Sequence, residues 1–584
     1  MAPTLSLTPA PHPQAATLAL ALAAAAAPPL LAWNTAPSST FLNQALALGL
    51  WGAFVCAAAL AAPGASMRWY RHRPTAAPLA ALALLALSVL WSWGPGSLPS
   101  GLALQALGLI AAAALLLQAG AAARGAGPAL TAAFFAGWVL AGLLCAAIGA
   151  LQVFAPQWVD GDWIARSTLP GRAVGNLRQP NHLSSLLLWA AIAVVALVEL
   201  RRIGPRTAAA LFTLMIFAVV LTASRTGVVG VALLALWGLA DRRLLRPTRR
   251  LLFAAPLLYA LAWWTLAAWA DDGAHRFGGT ERLAEADLSA SRFGIWANTL
   301  ALIRAQPWAG VGFGEFNFAW TLTPFPGRPT AFFDHAHNLP LHLAAELGLP
   351  LAAAVMALLL WALAQAVRRS AADAGARAAL MMVLMIGLHS LLEYPLWYSY
   401  FLLPTAWAWG LALASSPSTP RVTTAARPST ARVLGGSMLM LAAAVSVLDY
   451  MRVAAIFSAP QDAAPLAERV ARGQRSLLFA HHADYAAVTA LGPRRADDAA
   501  FAGATHYLLD GRLLQAWARA LAASGRDDEA RHVTARLREF SARSDAGADF
   551  FADFFADCAK PASAAAFQCN EPQRAWGWRE LSPR

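Results

Sequence analysis

A histidine-rich segment in the second half of the chain could supply a general base. Residues 334–338 read DHAHN, and His342 and Glu346 follow shortly after. A neutral imidazole is the side chain best suited to accept a proton near pH 7. His342 and Glu346 are four residues apart and would share one face of a helix, so a metal site is the alternative interpretation. Its candidate ligands are Asp334, His335, His337, His342 and Glu346. The segment lacks a compact metal motif such as H-E-x-x-H, which favours a base that works without a metal.

Two arginines could bind an anion. Arg225 lies in Ser224-Arg225-Thr226-Gly227, which we interpret as a tight turn between two short apolar runs. A guanidinium at membrane depth is costly unless a partner or an anionic ligand compensates it, so a site is favoured over the alternative that the side chain snorkels to the interface. Arg292 begins an amphipathic helix in the segment 291–296. That second signal is weak by itself.

A third polar segment, residues 171–182, precedes an apolar stretch. It contains Arg172, Arg178, Gln179 and Asn181 at the point where the chain re-enters lipid. Arginine and amide side chains suit phosphate oxygens and sugar hydroxyls, although a polar rim would use the same residues. Similarly, Tyr394 and Tyr398 could contact a glycan or an acceptor, or they could belong to an interfacial aromatic belt.

The composition requires these segments to be carried by membrane helices. The chain has 584 residues, of which 58% are hydrophobic and only 13% are charged, and its mean hydropathy is +0.51. A soluble core of this length could not bury so much apolar surface, so the surplus must face lipid. The net charge of +13 does not indicate a nucleic-acid partner, because arginines in the loops of a membrane protein set its orientation. We therefore predict an all-α polytopic membrane protein that interacts with the lipid bilayer.

Apolar stretches of spanning length predict about thirteen transmembrane helices. They lie at 15–33, 43–62, 77–93, 101–122, 128–154, 183–200, 207–222, 227–240, 251–270, 349–367, 378–392, 397–414 and 433–449. Arginine clusters fall in alternate short loops, which the positive-inside tendency assigns to the cytoplasm. The N-terminus is then cytoplasmic and the C-terminus is outside. The outer face carries the loop 156–182, the long loop from 271 to about 347, and the tail from residue 450.

The predicted division of the chain follows this topology. N-terminal helices occupy residues 1–150, and a loop and helices that include the SRTG segment occupy 151–270. A large catalytic loop follows at 271–348. C-terminal helices occupy 349–449, with a cytoplasmic linker at 415–432, and a helical tail domain occupies 450–584. Within the tail, the segments 513–521 and 529–537 have helical patterning on either side of a Gly turn. Cys558 and Cys569 could form a disulfide there if the compartment is oxidising.

These motifs carry a family resemblance. His337-Asn338, Leu341, the Glu346–Gly348 segment and the Ser224–Gly227 segment resemble the shared pattern of O-antigen ligases and polymerases. The Gly175–His182 segment narrows the resemblance to PglL-type bacterial protein O-oligosaccharyltransferases. The Glu393–Tyr400 segment and the polar tail fit the same subgroup.

The resemblance implies a glycosyltransferase of the bacterial inner membrane whose active site faces the periplasm. Such an enzyme transfers an oligosaccharide from undecaprenyl pyrophosphate to Ser or Thr hydroxyls of a periplasmic protein such as a pilin. It needs no metal or other cofactor, and a single displacement inverts the anomeric centre. The resemblance assigns catalysis to His337, Arg225 and Arg292, and it prefers His337 to His335 as the base. The expected substrate contacts are Arg172, Arg178, Gln179, Asn181, Asn338, Tyr394 and Tyr398.

Three other functions remain as alternatives. An O-antigen ligase or an O-antigen polymerase would use the same donor chemistry with a different acceptor. A transporter or flippase for a lipid-linked sugar would also need many helices, but it should place ionisable groups near the midplane of several of them. An N-linked oligosaccharyltransferase is disfavoured because Thr265 follows Trp263-Trp264 where that family's motif needs an aspartate.

Overall fold

The computed structural model describes residues 13–61, 73–271, 275–280, 292–414, 429–492, 498–541, 548–559 and 566–582. Within these ranges the chain is helical and contains no strand. The first fifteen α-helices are α1 Pro13–Leu30, α2 Phe41–Ala61, α3 Ala76–Trp93, α4 Ser100–Ala123, α5 Pro128–Phe154, α6 Pro180–Glu199, α7 Pro205–Leu221, α8 Arg225–Ala240, α9 Arg246–Ala270, α10 Arg292–Ala305, α11 Phe316–Leu322, α12 Leu339–Ser370, α13 Ala374–Ser390, α14 Ser399–Leu413 and α15 Thr430–Phe457. The tail continues with α16 Leu466–Gly473, α17 Ala480–Ala490, α18 Asp498–Thr505, α19 Gly511–Ala523, α20 Asp527–Ser541 and α21 Ala548–Phe555.

The structure has a helix at every stretch that the sequence predicts to span the membrane. Eight of these helices are long and apolar enough to cross a bilayer. The other stretches form shorter helices, namely α1, α7, α8, α13 and α14. The protein is therefore a multi-pass membrane protein, whereas the number of thirteen crossings and their orientation stay predictions. The predicted linker at 415–432 lies mostly outside the described residues, because the description resumes at residue 429.

Close contacts between small residues hold neighbouring helices together. Where α4 crosses α14, a Cβ on Gly120 would lie 2.1 Å from the carbonyl oxygen of Trp407, and a Cβ on Gly410 would lie 2.0 Å from that of Leu117. Only glycine fits at either position. Two apolar helices in lipid gain no hydrophobic driving force from pairing, so backbone approach of this kind supplies the dispersion contacts that keep them in register.

Helix α6 forms the centre of the bundle. Its apolar membrane-spanning stretch is entirely buried, and the helix packs against α5, α7, α8 and α13. The first turn of α6, which contains Asn181, is therefore enclosed by protein and not by lipid. Polar side chains there must find partners within the protein, because lipid offers none.

Helix α12 is broken at Gly348, the last residue of the predicted loop 271–348. Gly348 has φ +74°, and a Cβ there would lie 2.3 Å from the carbonyl oxygen of Trp308, so the position requires glycine. The residues between Asn338 and Gly348, at the end of the predicted loop, form a helical segment of their own. Asn338 caps it, since its side chain accepts a hydrogen bond from the Leu341 amide.

The long loop and the tail share one hydrophobic core. Phe316 and Trp320 of the loop are buried together with Val453 at the end of α15 and Trp517 of the tail. Near the C-terminus, Cys558 and Cys569 form a disulfide with a Cα–Cα distance of 5.2 Å, which is the pair that the sequence suggested. The tail is thus packed directly onto the loop that carries the candidate site.

Candidate active site

Asn181 is positioned by the start of α6. Gln179 is the N-cap of this helix, and its side-chain oxygen accepts a hydrogen bond from the His182 amide at 2.9 Å. Pro180 suits the first helical turn because it has no amide hydrogen to satisfy there. The buried side chain of Asn181 then contacts Glu393, in the segment between α13 and α14, and Ser224, just before α8. Gln179, expected to contact substrate, is used here as a helix cap.

The segment with Arg225 is a helix start and not the tight turn that we expected. Ser224 caps α8 by accepting a hydrogen bond from the Gly227 amide at 3.1 Å, and Arg225 is the first helical residue. Ser224 Oγ also donates a hydrogen bond to Asn181 Oδ1 at 2.6 Å. The Arg225 side chain is exposed, and it has no hydrogen bond or ion pair with any residue that the structure describes. A free guanidinium at a helix N-terminus is suited to bind an anion, because the unpaired amides there attract negative charge as well.

Glu393 connects the three candidate catalytic regions. Its buried carboxylate accepts a hydrogen bond from Asn181 Nδ2 at 3.0 Å and pairs with Arg292 Nη2. The second oxygen, Oε2, lies 3.4 Å from His337 Nε2. Because Asn181 also binds Ser224, one hydrogen-bonded path leads from the start of α8 to Arg292, and Glu393 extends it to His337 through the 3.4 Å contact.

His337 has the orientation that a general base needs. Its Nδ1 lies 3.1 Å from the carbonyl oxygen of His335, and a carbonyl can only accept, so Nδ1 carries the hydrogen. Nε2 is then the basic nitrogen, and it points toward Glu393. Burial lowers the pKa of His337 from its usual 6.5, while the charge of Glu393 opposes that shift. The imidazole is therefore neutral at pH 7 and able to accept a proton.

His335 is restrained by its neighbours. Its ring stacks on Tyr394 with centroids 4.2 Å apart, and its Nδ1 lies 2.8 Å from Asp334 Oδ1. His342 and Glu346 pair with each other at 3.5 Å. Over the described ranges, no three His, Cys, Asp or Glu side chains come together as a group that could hold a metal.

Backbone strain occurs at each of the three motifs. Arg178, Ala223 and His337 have φ values of +56°, +47° and +52°, in the left-handed region that residues with a Cβ rarely adopt. Such conformations cluster at functional sites, where the surrounding structure enforces them. Here they precede the helix caps Gln179, Ser224 and Asn338, so each one redirects the chain immediately before a helix begins.

The remaining expected substrate residues lie around this network without joining it. Arg172 Nε donates to the carbonyl oxygen of Thr222 at 3.1 Å, and Arg178 donates to those of Ala32 and Ser39. Both guanidinium groups thus connect this loop to distant segments of the chain through backbone carbonyl groups.

Asn338 and Tyr398, which were also expected to contact the substrate, make contacts within the protein as well. Asn338 Nδ2 donates to the Leu391 carbonyl at 3.0 Å, and the Tyr398 ring packs edge-on against His182 at 4.6 Å. A substrate contact by any of these four side chains stays a prediction.

Sequence reasoning did not identify Glu393 or Ser224 as site residues. Glu393 begins a segment that was quoted for its tyrosines, and a carboxylate between two apolar helices was itself a signal of function. Ser224 was visible as a helix-cap residue before an apolar run. Neither signal indicates the partner, which depends on the arrangement of distant helices.

Comparisons with known proteins match three parts of the chain. Three family models match, described as protein glycosylation ligase over residues 173–198, O-antigen ligase over 210–356, and virulence factor membrane-bound polymerase, C-terminal, over 377–548. Together they include the starts of α6 and α8, the long loop with Arg292 and His337, and Glu393.

Two curated relatives come from Acinetobacter baylyi. A general O-oligosaccharyltransferase is 27% identical over 286 residues, which cover 45% of this chain and 48% of the relative. A ComP-specific O-oligosaccharyltransferase is 27% identical over 263 residues, which cover 43% and 46%. The chain thus matches about half the length of these relatives. The matches confirm the resemblance to PglL-type protein O-oligosaccharyltransferases within the O-antigen ligase and polymerase superfamily.

Proposed function

We propose that this protein transfers an oligosaccharide from undecaprenyl pyrophosphate to Ser or Thr hydroxyls of periplasmic proteins, with pilin-like proteins as acceptors. The observation that carries the proposal is the set of contacts made by Glu393. This one carboxylate pairs with Arg292, lies beside His337 Nε2, and reaches the start of α8 through Asn181 and Ser224. Glu393 thus brings a base and one arginine together and is linked to the residue before Arg225. Transfer from a lipid pyrophosphate to a hydroxyl requires a base and cations of this kind.

His337 is the general base in the proposed mechanism. The acceptor hydroxyl oxygen attacks the anomeric carbon while its proton passes to Nε2. The imidazolium so formed faces Glu393 at 3.4 Å, and this negative charge stabilises it. The hydrogen on Nδ1 stays with the His335 carbonyl, so the ring needs no reorientation during the reaction. His335 is less suited to the role because its ring stacks on Tyr394 and packs edge-on against Trp397.

The two arginines stabilise the leaving group. As the bond from the anomeric carbon to the pyrophosphate oxygen breaks, its electron pair remains on the pyrophosphate. Fixed guanidinium groups interact more strongly with this developing charge than with the intact donor, so they lower the barrier. Arg225 is free to approach the phosphate, and Arg292 is held in place by Glu393. One displacement without a covalent sugar–enzyme intermediate inverts the anomeric centre and uses no metal.

The family match described as protein glycosylation ligase supports a protein acceptor, and both relatives are named O-oligosaccharyltransferases. The disulfide between Cys558 and Cys569 supports a periplasmic tail, because disulfides persist in oxidising compartments. The proposed location is the bacterial inner membrane, with the site facing the periplasm.

Reconstitution tests this proposal. The purified chain in liposomes is given an undecaprenyl-pyrophosphate-linked oligosaccharide and a periplasmic acceptor protein, and mass spectrometry then locates the glycan. The expected result is an intact oligosaccharide on Ser or Thr, with an anomeric configuration by NMR opposite to that of the donor. No protein glycosylation together with a modified lipid A core or an extended glycan would overturn the proposal in favour of a ligase or a polymerase. Because the chain matches O-antigen ligase and polymerase models, the lipid A core and the glycan itself are the acceptors to test in parallel.

A further inference from the structure

A groove lies between the end of α10 and the C-terminal segment of the chain. It has a volume of about 550 Å³ and is partly open to solvent. Three parts of the chain form its walls, namely the last turns of α10, the loop at 323–326 and residues 576–579. Its lining includes Ala305, Gln306, Phe325, Trp576, Trp578 and Arg579. All three walls belong to segments that the sequence predicts on the outer face, where a periplasmic protein could reach them.

The C-terminal wall of the groove is fixed to the rest of the protein. Trp576 Nε1 donates a hydrogen bond to Asp528 Oδ2 of α20 at 2.8 Å. The Trp578 ring packs edge-on against Phe318 of the long loop, with centroids 6.1 Å apart. Leu581 is fully buried in the core that the loop and the tail share. Both tryptophan rings are half-buried, so each is held in place while part of it stays open to a ligand.

Arg328 fixes the loop wall of the groove. Its guanidinium donates to the carbonyl oxygens of Thr321 and Trp320 at 3.2 and 3.1 Å, and its Nε lies 2.8 Å from Glu539 Oε2 of α20. The same guanidinium lies 5.4 Å from the centre of the Phe325 ring, which lines the groove. A groove whose walls are fixed in advance loses little conformational entropy when a ligand binds.

Arg579 gives the groove a positive charge. Its Nη1 donates to Gln306 Oε1 at 3.2 Å, and its Nη2 donates to the Gly310 carbonyl at 3.1 Å. Both acceptors are uncharged, and this exposed guanidinium forms no ion pair with any residue in the described ranges. The adjacent carboxylate, Glu580, pairs with Arg574 at 3.0 Å instead. Arg579 is therefore oriented but not neutralised, which suits a carboxylate of a bound partner.

Helix α10 links the groove to the candidate active site. Its first residue is Arg292, and Trp296 Nε1 donates at 3.1 Å to the carbonyl of Ala336, which precedes His337. At ~1.5 Å per residue, the groove residues at 301–305 lie roughly 14–20 Å from Arg292 along the helix. An extended chain spans that distance with about four to six residues.

An extended polypeptide fits this groove better than the glycan donor does. The lining is mainly apolar and aromatic, and aromatic-lined grooves bind extended chains through contacts with their rings. Sugar hydroxyls placed against such walls would lose hydrogen bonds to water without gaining others. A protein segment, in contrast, can supply apolar side chains for the rings together with a carboxylate for Arg579.

We propose that the groove between α10 and the C-terminal segment docks an extended segment of the acceptor protein that is mainly apolar and carries one carboxylate for Arg579. The docked segment lies about four to six residues from the Ser or Thr that reaches His337. The inference rests on the proposed function, because it assumes a protein acceptor. The groove acts on acceptor binding, and the reaction remains with His337 and the two arginines at the site.

Steady-state kinetics of the full-length protein in liposomes test the groove, with a pilin-like acceptor protein and the lipid-linked oligosaccharide varied in turn. Ala305 is exposed and lines the groove, so Ala305→Trp fills the groove while the native contacts of its walls remain. This variant should raise KM for the acceptor about tenfold and leave KM for the donor unchanged. Trp163→Ala is the matched control, because this ring is 83% exposed on the loop 156–182 and lies outside the groove. It should change neither KM.

Substitution of Arg579 tests the carboxylate contact. Arg579→Gln should raise the acceptor KM about threefold to fivefold, as expected for the loss of one exposed ion pair, and Arg579→Lys should recover part of that loss. A fluorescent peptide with the segment Ala-Leu-Asp-Pro-Val measures binding without transfer, by anisotropy. It should bind the wild type more tightly than the same peptide with Asn for Asp, and Arg579→Gln should abolish the difference. Equal binding of the two peptides to the wild type would overturn the inference.

Three outcomes separate the groove from the function itself. If the wild type transfers glycan to protein and Ala305→Trp leaves the acceptor KM unchanged, the groove assignment is wrong while the proposed function stands. If Ala305→Trp raises the donor KM instead, the groove binds the glycan, which also overturns the inference. If the wild type transfers nothing to any protein, the proposed function has failed, and peptide binding still reports on the groove. Thermal unfolding identifies a variant that misfolds, and the comparison of Arg579→Gln with Arg579→Lys then decides.

Discussion

His337 Nε2 lies 3.4 Å from Glu393 Oε2, and the same carboxylate pairs with Arg292 through its other oxygen. The carboxylate thus contacts both the proposed base and one of the two proposed phosphate-binding arginines. A proton gained by the imidazole is stabilised by the residue that also fixes the guanidinium. In the proposed mechanism, proton transfer and leaving-group stabilisation are therefore coupled through a single side chain.

Replacing the base tests the central assignment. His337→Ala should lower glycan transfer by about 10²–10⁴-fold, the usual cost of losing a general base, while membrane insertion and donor binding persist. His335→Phe is the control, because it keeps a ring stacked on Tyr394 and should cost much less. Both variants are compared by transfer rate and by binding of the lipid-linked donor. The assignment fails if His335→Phe is the inactive variant or if His337→Ala keeps substantial transfer.

The pH profile should report the environment of His337. Burial lowers the pKa of this imidazole below 6.5, so transfer should stay constant from neutral pH to below 6.5 and then fall as the ring gains a proton. Glu393→Gln removes a charge that favours the protonated form, and the midpoint should therefore move to lower pH. Initial rates of kcat/KM against pH measure both effects. An upward shift of this midpoint in Glu393→Gln would contradict the interpretation that Glu393 stabilises the protonated form of His337.

The two arginines should respond differently to substitution. Arg225→Lys and Arg292→Lys both lose the planar fork that binds phosphate oxygens in pairs, so each should reduce transfer by roughly 10²-fold. Only Arg292→Ala should also lower the unfolding temperature, because it leaves the buried Glu393 without its cation. Arg304→Lys on the same helix as Arg292 serves as a control for both measurements. Near-normal transfer by Arg225→Lys would limit Arg225 to a structural role.

Chelation distinguishes the general base from the metal alternative. EDTA should not inhibit transfer, because the proposed mechanism uses imidazole and guanidinium groups alone. Inhibition that a divalent ion reverses would instead favour a metal held by residues of the histidine segment. Activity is measured after dialysis against the chelator, with and without added Mg²⁺ or Mn²⁺.

The orientation of the chain can be measured with fused reporters. A reporter that is active only in the periplasm should be active after Arg584 and inactive near Arg246, because the arginine clusters assign these positions to opposite faces. Activity at both positions, or at neither, would contradict the alternating topology.

Local sequence was sufficient to predict the helices of the bundle. Apolar runs of spanning length have few alternatives in lipid, because a backbone without water must satisfy its hydrogen bonds within a helix. The histidine and arginine motifs were also visible, since their side chains are rare beside such runs. The residue types around Ser224 and Asn338 could even have indicated helix caps, yet we interpreted the first as a turn and placed the second inside a loop.

Only the tertiary structure could bring Glu393 to its partners. Asn181 and Glu393 are 212 residues apart, and Arg292 and Glu393 are 101 apart, so no local period relates them. Helix packing decides which polar groups meet, and it directed Arg178 to backbone carbonyls although its residue type suited a phosphate equally well. A sequence specifies which side chains can do chemistry, but the packing of distant helices decides which of them share a site.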